Sequence, residues 1–231
     1  MADWPQSSEE LIAAQRELAV RRPRLWRVPP GPLRVAGCFV CFARGGPRAG
    51  ATGEPGWAAA ALMLGNGRLL GTAVVHGLAG ATYEPGLLAL REGPLLAAAV
   101  AALPEPPEVL LANATGRDHP RGAGLALHLG AALDIPSVGV TDRPLVAQGV
   151  LPGDERGSAV ALLLDGRPAA CWLRTRSRAR PLVVHPGWRT DLDSAVAVVR
   201  KTIRRARTPE PLRRARRAAR EDRAAVATRK R

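Results

Sequence analysis

"EVLLANATGRDHPRGAGLALHLGAALDIPSVGVTD", residues 108–142, is the stretch on which the fold turns. Residues 108–114 are an apolar run of strand type. A loop follows that holds Gly116 and His119-Pro120-Arg121. Residues 122–133 read as a helix and 136–142 as another strand, so the stretch is one strand–helix–strand unit. Outward from it the same alternation continues. On the C-terminal side, 158–174 reads as a hairpin turning at Asp165-Gly166, 182–187 as a short strand, and 192–206 as an amphipathic helix. On the N-terminal side, Ser7 and Glu10 form a capping box for a helix over roughly 8–21. A Pro-rich connector (21–32), a strand (33–43) and a loop (44–56) come next. Runs 57–64 and 69–77 form a hairpin through Asn66-Gly67, and 87–102 is a buried helix. This order predicts an α/β fold: one mixed sheet with helices on both faces, residues 1–206, and a basic tail over 207–231 that is loosely ordered.

Composition sets the outer limits. The chain has 231 residues, enough for one α/β domain or two small ones, and 46% of them are hydrophobic. Only 3% are aromatic, so Ala, Leu and Val must build most of the core. The formal charge is +14, and residues 201–231 carry thirteen Lys and Arg against Glu210, Glu221 and Asp222, a net of +10. A charge this concentrated points to a polyanion, nucleic acid or an anionic membrane surface. The plainer readings are an arginine-rich bias in composition and a solvated helix face. No apolar run is long enough for a membrane span, and the first residues lack the pattern of a secretory signal.

"VAGCFVCFARGG" (35–46) raises a sharper question. It reads as a buried strand ending at Gly45-Gly46, of the kind that carries a metal-binding carboxylate in many nucleases. Here cysteine and phenylalanine stand in those places. Cys38-x-x-Cys41 lies within the strand, where positions three apart face opposite ways, and no second Cys pair or nearby His completes a zinc site. With Cys171 the cysteines number three, which reads as buried free thiols in a cytoplasmic protein.

Three motifs sit at the ends of elements: "YEPGLLALREGPLL" (83–96), the strand–loop–helix above, and "HPGWRTDLDSAVAVV" (185–199). Together, and in this order, they resemble the endonuclease V family over about residues 10–210. The resemblance implies a ribonuclease H-like fold. It also implies a Mg²⁺-dependent endonuclease that recognises deaminated purines, chiefly inosine, in DNA or RNA and cuts on the 3′ side.

The same resemblance, carried over position by position, implies that the first-strand aspartate falls on Phe39 and that the glutamate is kept as Glu92. The aspartate opening the glycine loop falls on Asn113, the lysine on Asp142 and the histidine on Trp188, while the later aspartate is kept as Asp193. Phenylalanine cannot ligate a cation, and asparagine offers one neutral oxygen without the charge that offsets dehydration of Mg²⁺. Tryptophan cannot shuttle a proton, and loss of the lysine removes a cation near the scissile phosphate. No metal site is then intact, with Glu92 as a possible remnant. Glu92 also reads as a plain helix carboxylate, and Asp193 as a first-turn cap. Phe39, Glu92, Asn113, Asp193 and Trp188 are expected in one pocket. If Phe39 faces away from Glu92, then Cys38 or Val40 takes the family position.

The base-reading side is closer to the family pattern. Tyr83 and Pro85 match its wedge beside an extruded base, a distortion that costs about a few kcal/mol. They also read as an ordinary turn. Gly116 frames part of the base pocket, and His119 and Arg121 are placed to meet phosphates. Three functional readings stand, the first two being a nucleic-acid-binding member with impaired or lost cleavage, a pseudoenzyme, and an active enzyme with a rearranged site using Glu92, Asp142 and Asp193 with Mg²⁺ or Mn²⁺. A third is an interaction protein whose basic arm binds RNA or another acidic partner.

Overall fold

The computed structural model describes residues 4–43 and 50–229; part of the expected 44–56 loop lies outside them. Ser7 caps the first helix, α1 (Ser8–Val20), by accepting from the Glu10 amide at 3.1 Å, and the Glu10 carboxylate reaches back to the amide of Gln6. The Pro-rich connector leads into β1 (Arg34–Phe42). β2 (Pro55–Leu64) and β3 (Leu69–Leu78) form the hairpin expected around Asn66-Gly67. α2 (Leu88–Ala101) precedes the strand–helix–strand unit, which is β4 (Val109–Ala112), α3 (Leu125–Leu133) and β5 (Ser137–Thr141). β6 (Ala159–Leu164) and β7 (Arg167–Leu173) turn at Asp165-Gly166, both left-handed at φ 51° and 74°. Such a turn matches the twist of the strands it joins. β8 (Leu182–Pro186), α4 (Leu192–Thr202) and α5 (Glu210–Arg229) complete the chain.

The eight strands form one sheet in the order β3-β2-β1-β4-β5-β8-β7-β6. β1, β4 and β5 are parallel at its centre, and the remaining neighbours are antiparallel. This is the mixed, ribonuclease H-like sheet that the alternation predicts. α1, α2 and α3 cover one face, over a core that includes Ala36, Cys38, Val40, Leu96, Leu110 and Leu129. α4 and α5 cover the other, over Val35, Leu111, Val138, Val184 and Val198. Among the described residues no helix is long and apolar enough to cross a membrane.

The C-terminal segment departs from expectation. Residues 210–229 are a helix laid across β1 and β2 rather than a loose tail. The reason is a stripe of small apolar residues among the arginines: Leu212, Ala215 and Ala219 are buried at helical spacing. Gly37 permits the approach, since a Cβ there would lie 2.3 Å from the Pro211 backbone. Arg223 Nη1 donates to the Phe42 carbonyl at 3.0 Å, and Asp222 pairs with His76.

Candidate functional site

The Tyr83–Gly86 turn and the ends of β4 and β5 enclose a cavity of about 170 Å³, lined in part by Gln15, Tyr83, Pro85, Asn113, His119 and Thr141. Tyr83 is 57% exposed at its mouth, and its amide donates to the Gly50 carbonyl at 2.7 Å. Gly86 turns the chain at a left-handed φ of 82°. Its carbonyl is where three side chains converge. Gln15 Nε2 donates at 3.0 Å, Arg121 Nη2 at 2.9 Å and His119 Nε2 at 3.2 Å. His119 Nδ1 accepts from the Arg121 amide at 3.2 Å, which leaves the proton on Nε2. Burial and the Arg121 charge hold its pKa below the usual histidine range. His119 and Arg121, expected to meet phosphates, both help to fix the turn that carries Tyr83 and Pro85.

Beneath the cavity lies a buried polar floor that sequence reasoning missed. The fully buried Asp118 carboxylate accepts from the amides of Leu145, Val146 and Ala147 at 2.7–2.8 Å. The Thr141 hydroxyl donates to the Arg143 carbonyl at 2.7 Å, so His185 Nε2, at 2.8 Å, donates to it. His185 Nδ1 lies 3.7 Å from Asp118 and, among the described residues, has no hydrogen-bond partner. Complete burial pulls this histidine down to about 4 although Asp118 opposes the shift. The available signal was a lone polar residue in the apolar run "LVVHPG". Gly116 sits tightly here, as a Cβ would stand 2.0 Å from the Pro186 carbonyl oxygen.

The acid positions are divided by the sheet. Phe39 is half-buried on the α5 face with Cys41 and Ala59, and two guanidiniums lie over its ring: Arg216 Cζ at 5.1 Å and Arg220 Cζ at 5.7 Å. Arg216 Nη2 also lies 3.5 Å from Asn113 Oδ1. Phe39 and Asn113 are thus brought together, with Arg216 against both. Glu92 is not with Phe39. It rides on α2, on the face of Cys38, where burial lifts its pKa to about 7. Burial and the nearby Glu92 charge push the Cys38 thiol up to about 12. The expected meeting of Phe39 with Glu92 is therefore corrected, because alternate residues of a strand face opposite ways. On that register Cys38 or Val40, not Phe39, shares a face with Glu92.

The other expected members also lie elsewhere. Asp142 pairs with Arg207 at 2.7 Å. Asp193 is exposed and, among the described residues, makes no ion pair; the cap of α4 belongs to Asp191, which shares a capping box with Ser194. Trp188 does not line the cavity. It is buried between α1 and α3 against Leu18, Ala123 and Leu127, with Nε1 donating to Asp134 at 3.1 Å.

The family model for endonuclease V matches residues 33–217. Endonuclease V of Thermus thermophilus is 43% identical over 214 residues, 90% of each chain. The chain belongs to the endonuclease V family. The crystal structure of endonuclease V from Streptomyces avermitilis superposes with a TM-score of 0.86 at 35% identity, over 97% of this chain and 96% of that one. Endonuclease V of Ciona intestinalis, solved with a DNA containing an inosine followed by a ribo-adenosine, gives 0.74 at 18% identity over 94% and 98%.

Endonuclease V enzymes generally depend on a divalent metal, so the donors in this chain decide whether one fits. Phe39 has no ligating atom, Asn113 Oδ1 faces a guanidinium, and Glu92 lies across the sheet from Phe39. Among the described residues no three His, Cys, Asp or Glu side chains cluster so as to hold a metal ion. This donor set does not fit a hard cation that needs several anionic oxygens.

Proposed function

We propose that this endonuclease V relative binds deaminated, inosine-containing DNA or RNA, with phosphodiester cleavage impaired or lost. One observation carries the reading. The exposed Tyr83 and Pro85 stand at a cavity braced by three donors to Gly86, while its other wall, Asn113, adjoins an arginine instead of carboxylates. A wedge at a pocket suits an extruded base, and reading the base needs no hydrolysis. The Ciona complex with inosine-containing DNA supports the substrate class by kinship.

The alternative is an active enzyme using Glu92, Asp142 and Asp193 with Mg²⁺ or Mn²⁺. The Arg207 pair at Asp142 and the solvent position of Asp193 weigh against it. Two assays decide. Inosine-containing DNA and RNA oligonucleotides should be bound in preference to adenosine controls and left uncut with either metal. Robust metal-dependent cutting, abolished by Glu92→Ala or Asp142→Ala, would establish the alternative instead.

A further inference from the structure

Arg216 is half-buried, and its surroundings are mostly cationic. Burial and the charges of Arg220 and Arg207 lower its pKa, and only Asp142 opposes them. Among the described residues its one hydrogen bond is the long 3.5 Å contact to Asn113 Oδ1. A guanidinium offers five N–H donors in a planar fork, so most of this one's capacity is unspent. The helix that carries it is fixed to the sheet through Leu212, Ala215 and Ala219, and the Phe39 ring supports the guanidinium from below. Asn113 is the shared wall, lining the base-sized cavity while touching Arg216.

We infer that Arg216, backed by Arg220, is a preorganised site for a phosphodiester group of nucleic acid. It holds the backbone beside a nucleotide whose base enters the cavity, and it does so without a divalent cation. A phosphate oxygen pair matches the fork, is drawn by the local excess of positive charge, and meets donors that are otherwise unsatisfied. The inference rests on the reading that the cavity takes a nucleotide.

Fluorescence anisotropy of the full-length protein with labelled inosine- and adenosine-containing oligonucleotides, in EDTA and across a salt series, tests it. Unmodified protein should bind equally well in EDTA and Mg²⁺. Arg216→Ala should weaken binding about tenfold and flatten the log–log salt slope by about one. Arg216→Lys should keep the slope and recover only part of the affinity, because a point charge replaces the fork. Arg217→Ala removes an exposed arginine of the same helix, one that pairs with Glu221, and should change much less. Circular dichroism of each variant confirms that α5 stays folded. At matched ionic strength, inorganic phosphate should compete only weakly, since it fills the fork without the base or the flanking backbone, and Arg216→Ala should abolish that effect. Equal losses from the Arg216 and Arg217 variants, a requirement for Mg²⁺, or strong competition by free phosphate would overturn the inference. A missing preference for inosine with an Arg216-specific loss would instead sink the base-reading function. No binding at all would sink both.

Discussion

Arg121 Nη2 donates a 2.9 Å hydrogen bond to the carbonyl of Gly86, tying the "HPR" loop to the turn that presents Tyr83 and Pro85. The same guanidinium reaches Gln15 Oε1 at 2.5 Å, so α1, the turn and the loop form one braced unit. The sequence motifs at 83–86 and 119–121 are two halves of one device.

Arg121→Ala should therefore affect recognition as well as stability. Loss of these charge-assisted bonds costs about 1–3 kcal/mol. Urea denaturation reads that cost, and the ratio of inosine to adenosine affinity reads the loosened turn. An unchanged ratio in a folded variant would show that the brace is irrelevant to base selection.

A second prediction concerns Glu54 and Arg91, an ion pair whose side chains are only 5% and 4% exposed. Arg91 also donates to the Ala81 carbonyl at 2.8 Å and lies 4.1 Å over the Phe42 ring. Glu54→Gln should destabilise the protein by about 3–5 kcal/mol, because it strands a buried cation. The double change Glu54→Leu, Arg91→Met should cost less than the sum of the single changes. Chemical denaturation midpoints showing simple additivity would count against a coupled pair.

Acid should unfold the protein partly through its histidines. Burial pulls His128, which stacks on Trp4 at 5.0 Å, and His185 each down to about 4. An unfolded chain takes up these protons near pH 6.5 while the folded one refuses them until about 4. Stability should accordingly fall as pH drops through that window, by about 1.4 kcal/mol per pH unit for each fully differential proton. His128→Phe keeps the stack and should reduce the slope by up to one proton. An identical slope in the variant would contradict the assignment.

Glu92 should act in the opposite sense. Burial raises its pKa to about 7, so the folded protein retains a proton that the unfolded chain releases near 4.5. Stability from this group is present below about pH 4.5 and is lost as pH rises through 7. Glu92→Gln imitates the protonated acid and should stabilise the protein at pH 8 while changing little at pH 4. Thermal melts at the two pH values check the sign.

Local patterns in the sequence carried the architecture. Asn66-Gly67 and Asp165-Gly166 marked both hairpins, Ser7 and Glu10 marked the start of α1, and the 108–142 alternation marked the central strand–helix–strand unit. Each rests on backbone geometry or short-range hydrogen bonding, which depends on near neighbours alone. The motifs at 83–96 and 112–142 likewise announced the family, and the cavity is lined by residues of both, among them Tyr83, Pro85, Asn113 and His119.

Tertiary packing decided three further matters. β1 is apolar on both faces, so "VAGCFVCF" holds no polar alternation to say which residues face α2 and which face α5. Only docking of both helices placed Cys38 near Glu92 and Phe39 under Arg216. Trp188 went to the gap between α1 and α3, because an indole fills that apolar space and finds Asp134 for its N–H. Thirteen cationic residues masked the narrow Leu212–Ala215–Ala219 stripe, which becomes a binding face only against a sheet that offers Gly37 as its landing point. The sequence by itself determined kinship and the elements as far as α4, which are set by local chemistry. Contacts between residues distant in the chain decided which side chains meet at the site.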